Sequence, residues 1–338
     1  MVVEVQGHRI CGDLSPYFNT LSAIHVIHDV FRTVNKNNNN NDDEGHITNN
    51  NIVPLSIEFD ARVTLDGVAV VSHGPEGFHD GHGVEDKLWK DVKCIDIGDG
   101  HHIPTLDDML NTITEVLIPA TPPPENSHVL HAINVEIKYP TTTRGSSSLS
   151  SYTQPSLNDR VRIILEVLDE YKRIFYDNNI IIRVSSFNRD ILRYVRSARP
   201  TIPIGTIYNN RVKENEDKRI PLSIDYVTWM DDEGYTKVKG DSVNICSECI
   251  TRKHVKEAKK EGLDVMVWFP TIPSKGFIRD DNMDNIKLLL KKLMSVEVHN
   301  DGIPPIGVDV LCNNNYLLSL YYSYRYESSR SLNQNTPR

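Results

Sequence analysis

Ile57-Glu58-Phe59-Asp60, followed by Asp66-Gly67 and then by Val70-Val71-Ser72-His73, is the stretch on which the rest of the chain turns. Alternate side chains of a β-strand share a face. Glu58 and Asp60 therefore point one way, and Ile57 and Phe59 the other. Two carboxylates side by side repel unless a cation lies between them or one takes up a proton. Asp66-Gly67 is a two-residue hairpin signal, since both residues tolerate positive φ. Such a turn sends the chain straight back and brings His73 close to Asp60. Two acids and an imidazole then converge on one spot. The alternative at this point is an exposed edge strand with solvated acids.

Outward from this stretch, strand-like and helix-like segments alternate. Strands are expected over residues 2–8, 52–60, 132–138, 180–186, 202–208, 264–269 and 307–312, with one more at 223–229 or 242–246. Helices are expected over 16–34, 105–117, 158–176, 189–199, 251–262 and 284–299. Thr105 and Thr251 serve as N-caps, and Gly262 as a stop. The return segment 68–73 runs antiparallel to its neighbour and does not count among the parallel strands. Eight strands with helices between them are the complement of a (β/α)8 TIM barrel, an α/β fold whose chemistry sits at the C-terminal ends of the strands. His8, Asp60, Lys138 and Ser186 all fall at such ends, with Glu58 and Glu136 one strand repeat earlier.

Composition narrows the function. The chain has 338 residues, 39% of them hydrophobic, and a net charge of −9, which argues against a general nucleic-acid binder. It has no apolar run of membrane-spanning length and no visible secretory signal, so a cytoplasmic protein without a membrane span is expected. Five cysteines, an odd number, read as reduced thiols. Cys246 and Cys249 have zinc-knuckle spacing but lack a second pair, and read as small residues at a strand end. His79, His82, His101 and His102 fall in a loop without fixed ligand spacing and read as solvated. Residues 35–51 are an asparagine-rich insertion, expected to be disordered, as is the tail over 321–338.

Glu58, Asp60 and Glu136 offer a hard-oxygen site suited to Mg²⁺ or Ca²⁺. His8 and His73 flank it as a general base and general acid. Arg9 and Lys138 add positive charge. A cation with Arg and Lys around two histidines suits a phosphodiester, because phosphoryl transfer needs charge on the equatorial oxygens stabilised.

In order along the chain stand Gly7-His8-Arg9, Asn19-Thr20, Glu58-Phe59-Asp60, Thr64-x-Asp66-Gly67, Val70-Val71-Ser72-His73, Pro104-Thr105-Leu106, Asn134-Val135-Glu136-Ile137-Lys138, Ser185-Ser186-Phe187, Val267-Trp268 and Gly307-Val308-Asp309. This series resembles the glycerophosphodiester phosphodiesterase family, in particular its plant and fungal branch. The resemblance implies one TIM barrel over residues 1–320 with a small insertion after the second strand, residues 61–104. It implies metal-dependent hydrolysis of a small glycerophosphodiester such as glycerophosphocholine to glycerol 3-phosphate and an alcohol, a reaction of lipid and glycerol metabolism. Glu58, Asp60 and Glu136 would bind the cation. His8 and His73 would be the acid–base pair, and Arg9 and Lys138 would hold the phosphate. Trp268 would pack on the glycerol or head group, or serve as a core aromatic.

The chain departs from the family pattern at Ile10, where a turn glycine is usual, at Phe18 in place of an acid, at Gly74 in place of an Asp, and at Asn313-Asn314. A weakened or inactive barrel that binds a phosphodiester or a protein partner is the alternative these changes support.

Overall fold

The computed structural model describes residues 4–10, 18–29, 55–74, 82–118, 130–139, 154–208, 228–230, 237–246, 250, 252–268 and 309–313. The strands, in chain order, are β1 (Glu4–Gly7), β2 (Leu55–Val63), β3 (Ala69–Val71), β4 (Asp96–Gly98), β5 (His101–His102), β6 (Leu130–Ile137), β7 (Ile181–Ser186), β8 (Ile204–Tyr208), β9 (Thr228–Met230), β10 (Lys237–Lys239), β11 (Ser242–Cys246), β12 (Asp264–Trp268) and β13 (Val310–Asn313). The helices are α1 (residues 21–29), α2 (Trp89–Val92), α3 (Leu106–Leu117), α4 (Leu157–Asp177), α5 (Arg189–Ala198) and α6 (Arg252–Lys260).

The parallel strands pair in the order β1, β2, β6, β7, β8, β11, β12, β13, and β13 returns to β1. The ring is closed, as the alternation of elements predicts, and among the described residues no parallel strand is left with an open edge. Residues of one strand alternate between two environments. Ile57, Phe59, Ile133, Val135 and Val184 are buried in one apolar cluster with Met109, Leu110 and Ile113 of α3, Ile164, Leu165 and Leu168 of α4, and Ile191, Leu192 and Val195 of α5. The residues between them are polar yet equally buried: Gln6, Ser56, Glu58, Asp60, Asn134, Glu136 and Ser185. These fill the barrel interior. Near its N-terminal end Glu4 accepts from Ser56 Oγ at 2.5 Å and from Arg183 Nη2 at 2.9 Å, so the charge enclosed there is paired.

The helix signals hold where they can be seen. Thr105 accepts from the Asp108 amide at 3.0 Å, and Ser156 and Asn188 cap α4 and α5 in the same way. Gly262, at φ +70°, closes α6, with its amide on Lys259 O and the Leu263 amide on Ala258 O. A left-handed residue there satisfies the last carbonyls of the helix.

One expectation needs correction, and one left open is decided. The hairpin after β2 is present, but its turn is not the two-residue Asp66-Gly67 type. β2 runs on to Val63, which pairs with Ala69. The Thr64 amide donates to Val68 O, and the Gly67 amide to Thr64 O, with Gly67 at φ +84°. Three residues form the loop, and Thr64 Oγ1 receives the Val68 amide at 2.9 Å. Such a loop needs the glycine at its last position only. The undecided barrel strand is β11; β9 instead pairs antiparallel with β10, outside the ring. Between β3 and α3 the chain forms a 3-10 turn at Val84–Asp86, α2, and the β4–β5 pair, with a small core of Val70, Val84, Val92 and Ile103. The asparagine-rich segment, the tail, the expected helix over 284–299 and the Thr251 cap lie outside the described residues.

Candidate active site

Three neighbouring strands of the ring carry the site. In the register of β2 and β6, Asp60 lies beside Glu136, and Glu58 sits one repeat earlier on the same face. One ligand oxygen from each of Glu58, Asp60 and Glu136 lies within 4.8 Å of the others, and this is the metal-capable cluster among the described residues. β1 brings its following turn over Glu58: the Arg9 amide donates to Glu58 Oε2 at 2.8 Å, and His8 Nε2 lies 3.9 Å from the same oxygen. Arg9 Nε is 3.8 Å from Asp60 Oδ2. From β6, Lys138 Nζ reaches Asp60 Oδ1 at 2.8 Å and also pairs with Glu136. His73 arrives by the hairpin, since Ala61 pairs with Val71 and the Ser72 amide donates to Asp60 O at 2.9 Å. Its imidazole is close enough to act on the charges of Asp60 and Glu136.

The three carboxyls differ in proton affinity. Burial pushes Glu58 well above the usual carboxylate range, and the neighbouring Asp60 and Glu136 push it further. Burial acts on Asp60 in the same direction, but Lys138, His73, Arg9 and His8 outweigh it and hold Asp60 well below its ordinary value. Glu136 is raised by burial and by Asp60, against the pull of Lys138. Lys138 is raised, since its two carboxylates overcome the cost of burial. Glu58 Oε1 is buried and has no hydrogen-bond partner. A hard divalent cation fits this place: it would supply the missing partner of that oxygen and lift the repulsion that drives Glu58 toward protonation.

Trp268 ends β12, donating its Nε1–H to Asn244 O at 3.2 Å. Its ring meets the edge of Phe187 at a centroid distance of 6.1 Å. Phe187 is half exposed, and Lys138 Nζ stands 5.9 Å from its ring. Cys246 and Cys312 are buried, and burial followed by the nearby acids pushes the Cys312 thiol up, which suits an inert residue. His82 and His102 contact Asp86 and Ile95 O and form no metal cluster among the described residues, while His79 and Cys249 lie outside them.

Sequence reasoning missed Asn19 as a site residue. Its Nδ2 donates to Asp60 Oδ2 at 2.8 Å, from a left-handed backbone at φ 58° that asparagine tolerates. The Asn19-Thr20 motif was the available signal. Phe187, also inside a quoted motif, was missed too. Of the departures, Phe18 lies under the Arg9 guanidinium at 5.5 Å. Ile10 keeps the turn and donates its amide to Glu58 O, at φ 80°.

The barrel is similar to several solved structures. A protein assigned as a glycerophosphodiester phosphodiesterase from Galdieria sulphuraria is 20% identical, with 96% of this chain and 98% of that one covered and a TM-score of 0.58. A glycerophosphodiester phosphodiesterase from Parabacteroides distasonis is 16% identical, with 97% and 98% covered and a TM-score of 0.55. An Oleispira antarctica phosphodiesterase in complex with the product sn-glycerol-3-phosphate is 14% identical, with 96% and 97% covered and a TM-score of 0.54. No curated protein matches the chain. The family model described as glycerophosphoryl diester phosphodiesterase matches residues 56–293, from the strand that carries Glu58 and Asp60 onward. β1, with His8 and Arg9, precedes that span and joins the site by closing the ring. A match over most of the sequence, on a closed barrel of the same fold, makes this chain a member of the glycerophosphoryl diester phosphodiesterase family.

Proposed function

We propose that the protein hydrolyses glycerophosphodiesters, such as glycerophosphocholine, to glycerol 3-phosphate and an alcohol, with Mg²⁺ or Ca²⁺ held by Glu58, Asp60 and Glu136. The observation that carries this reading is the convergence of those three carboxylates with His8, His73, Arg9 and Lys138 at one end of the barrel. The family supports the reaction class, and the product bound to the Oleispira antarctica phosphodiesterase supports a small phosphate monoester as product.

The bound cation would supply Lewis-acid stabilisation of the phosphoryl oxygens. The residues of the chain do the rest. One histidine of the pair takes the proton from the glycerol hydroxyl next to the phosphoester. That oxygen bonds to phosphorus while the bond to the alcohol breaks, and the other histidine gives its proton to the leaving oxygen. Water then adds to the cyclic phosphate with the same pair in exchanged roles, and the ring opens to glycerol 3-phosphate. Arg9 and Lys138 hold the phosphate, with whatever charge their contacts to Asp60 and Glu136 leave over. Trp268 and Phe187 form an aromatic wall beside Lys138, placed to meet the apolar part of a substrate.

The test is release of glycerol 3-phosphate from glycerophosphocholine, glycerophosphoethanolamine and glycerophosphoinositol, with each cation and then with chelator. Cation-dependent product from any of them supports the reading. No product from any, with folded protein, refutes it.

A further inference from the structure

Arg62 lies two residues beyond Asp60 on β2 and is buried. Its guanidinium makes two hydrogen bonds to a single acceptor: Nε donates to His73 O at 3.2 Å and Nη2 to the same oxygen at 2.8 Å. The third contact is to Glu85, itself buried in the 3-10 turn Val84–Asp86. A desolvated ion pair adds little to stability over an apolar pair of the same shape. Fastening the insertion to the hairpin therefore does not require it. A planar guanidinium gripped at one end does something an apolar pair cannot, because its rigid fork fixes a carbonyl in direction as well as distance.

The carbonyl it fixes belongs to His73, which follows Ser72, whose amide donates to Asp60 O; the His73 imidazole acts on the charges of Asp60 and Glu136. We infer that Arg62, held by Glu85, is the positioning residue for His73, and that the segment after the hairpin thereby sets the geometry of the acid–base pair. This deepens the proposed function and rests on its reading of His73.

Arg160 provides the control. It is as buried as Arg62 and also feels the charge of Glu85, but it donates to Val63 O at 2.6 Å and Pro155 O at 3.0 Å. The experiment compares wild type with Arg62→Met/Glu85→Gln, Arg62→Lys and Arg160→Met. The double variant removes both buried charges together, so neither is stranded. Turnover on a glycerophosphodiester and melting temperature are measured beside histidine-selective NMR, in which the His73 signal is identified by its loss in His73→Ala.

The double variant should lose about 10- to 100-fold in kcat with KM within about twofold, and should shift the His73 signal. Arg62→Lys, with at most one N–H on the carbonyl in the same direction, should fall between. Arg160→Met should lower the melting temperature while leaving kcat and the His73 signal in place. An unmoved His73 signal and unchanged kcat in the double variant would overturn the inference, as would an equal kcat loss in Arg160→Met. Activity that survives His73→Ala would refute the acid–base reading instead, and the His73 signal would still decide whether Arg62 positions the ring.

Discussion

Glu58 and Asp60 stand two residues apart on one face of one strand and have opposite proton affinities. Burial raises both. Asp60 has Lys138 at 2.8 Å, Arg9 at 3.8 Å and two histidines nearby, and these hold it ionised. Glu58 has one backbone N–H and two carboxylate neighbours, and is pushed up. The repulsion among the three carboxyls therefore falls on Glu58, which is the acid driven toward protonation while Asp60 stays ionised.

In metal-free protein this has a stability consequence. The folded-state affinity of Glu58 for its proton is raised, so its contribution favours folding at low pH and is lost as pH rises through the raised value. Glu58→Gln should remove that loss and stabilise the chelator-treated protein by about 1–3 kcal/mol near neutral pH. Added Mg²⁺ or Ca²⁺ should stabilise wild type and do much less for the variant. Urea unfolding at several pH values reads both effects. A chelator-treated variant less stable than wild type at neutral pH would contradict this account of the charge.

Lys138 bonds to two of the three carboxylates that would hold a cation. Lys138→Met should bind the cation more tightly, by about tenfold or more, because a competing positive charge is gone. Turnover should nonetheless fall about 100-fold, since the phosphate loses a counter-charge. Titration calorimetry with the metal, beside the assay, separates the two. Weaker metal binding in the variant would show that Lys138 builds the cluster rather than competing for it.

Ile10 stores strain beside the site. A β-branched residue at φ 80° is an outlier, and the burial of its side chain in the core offsets the cost. Ile10→Gly and Ile10→Ala both lose that burial, but only glycine is at ease in this conformation. The glycine variant should be the more stable of the two by about 1 kcal/mol, the reverse of the order in a helix or strand. Thermal unfolding of the pair tests it, and alanine above glycine would mean that the turn is not left-handed.

Period-two alternation was enough to put Glu58 and Asp60 on one face, and strand order was enough to put Glu136 beside them. Both are local properties of strands buried on two sides. The hairpin was legible as a return, but not its loop, because the choice between a two- and a three-residue turn depends on where Thr64 places its hydroxyl. Residues 223–229 and 242–246 could not be told apart by sequence, as both are short and rich in strand formers; only ring closure selects the second. Asn19 and Arg62 meet partners 41 and 11 residues away in sequence; the Asn19-Thr20 motif marks the first, and nothing beside Arg62 marks the second.

The most direct measurement is glycerol 3-phosphate release from glycerophosphocholine by wild type, Glu58→Ala and His73→Ala, each with Mg²⁺ or Ca²⁺ and then with chelator. The account predicts product from wild type alone, abolished by chelator. Product that persists in chelator or in either variant, from folded protein, would contradict a reaction built on the carboxylate cluster and His73.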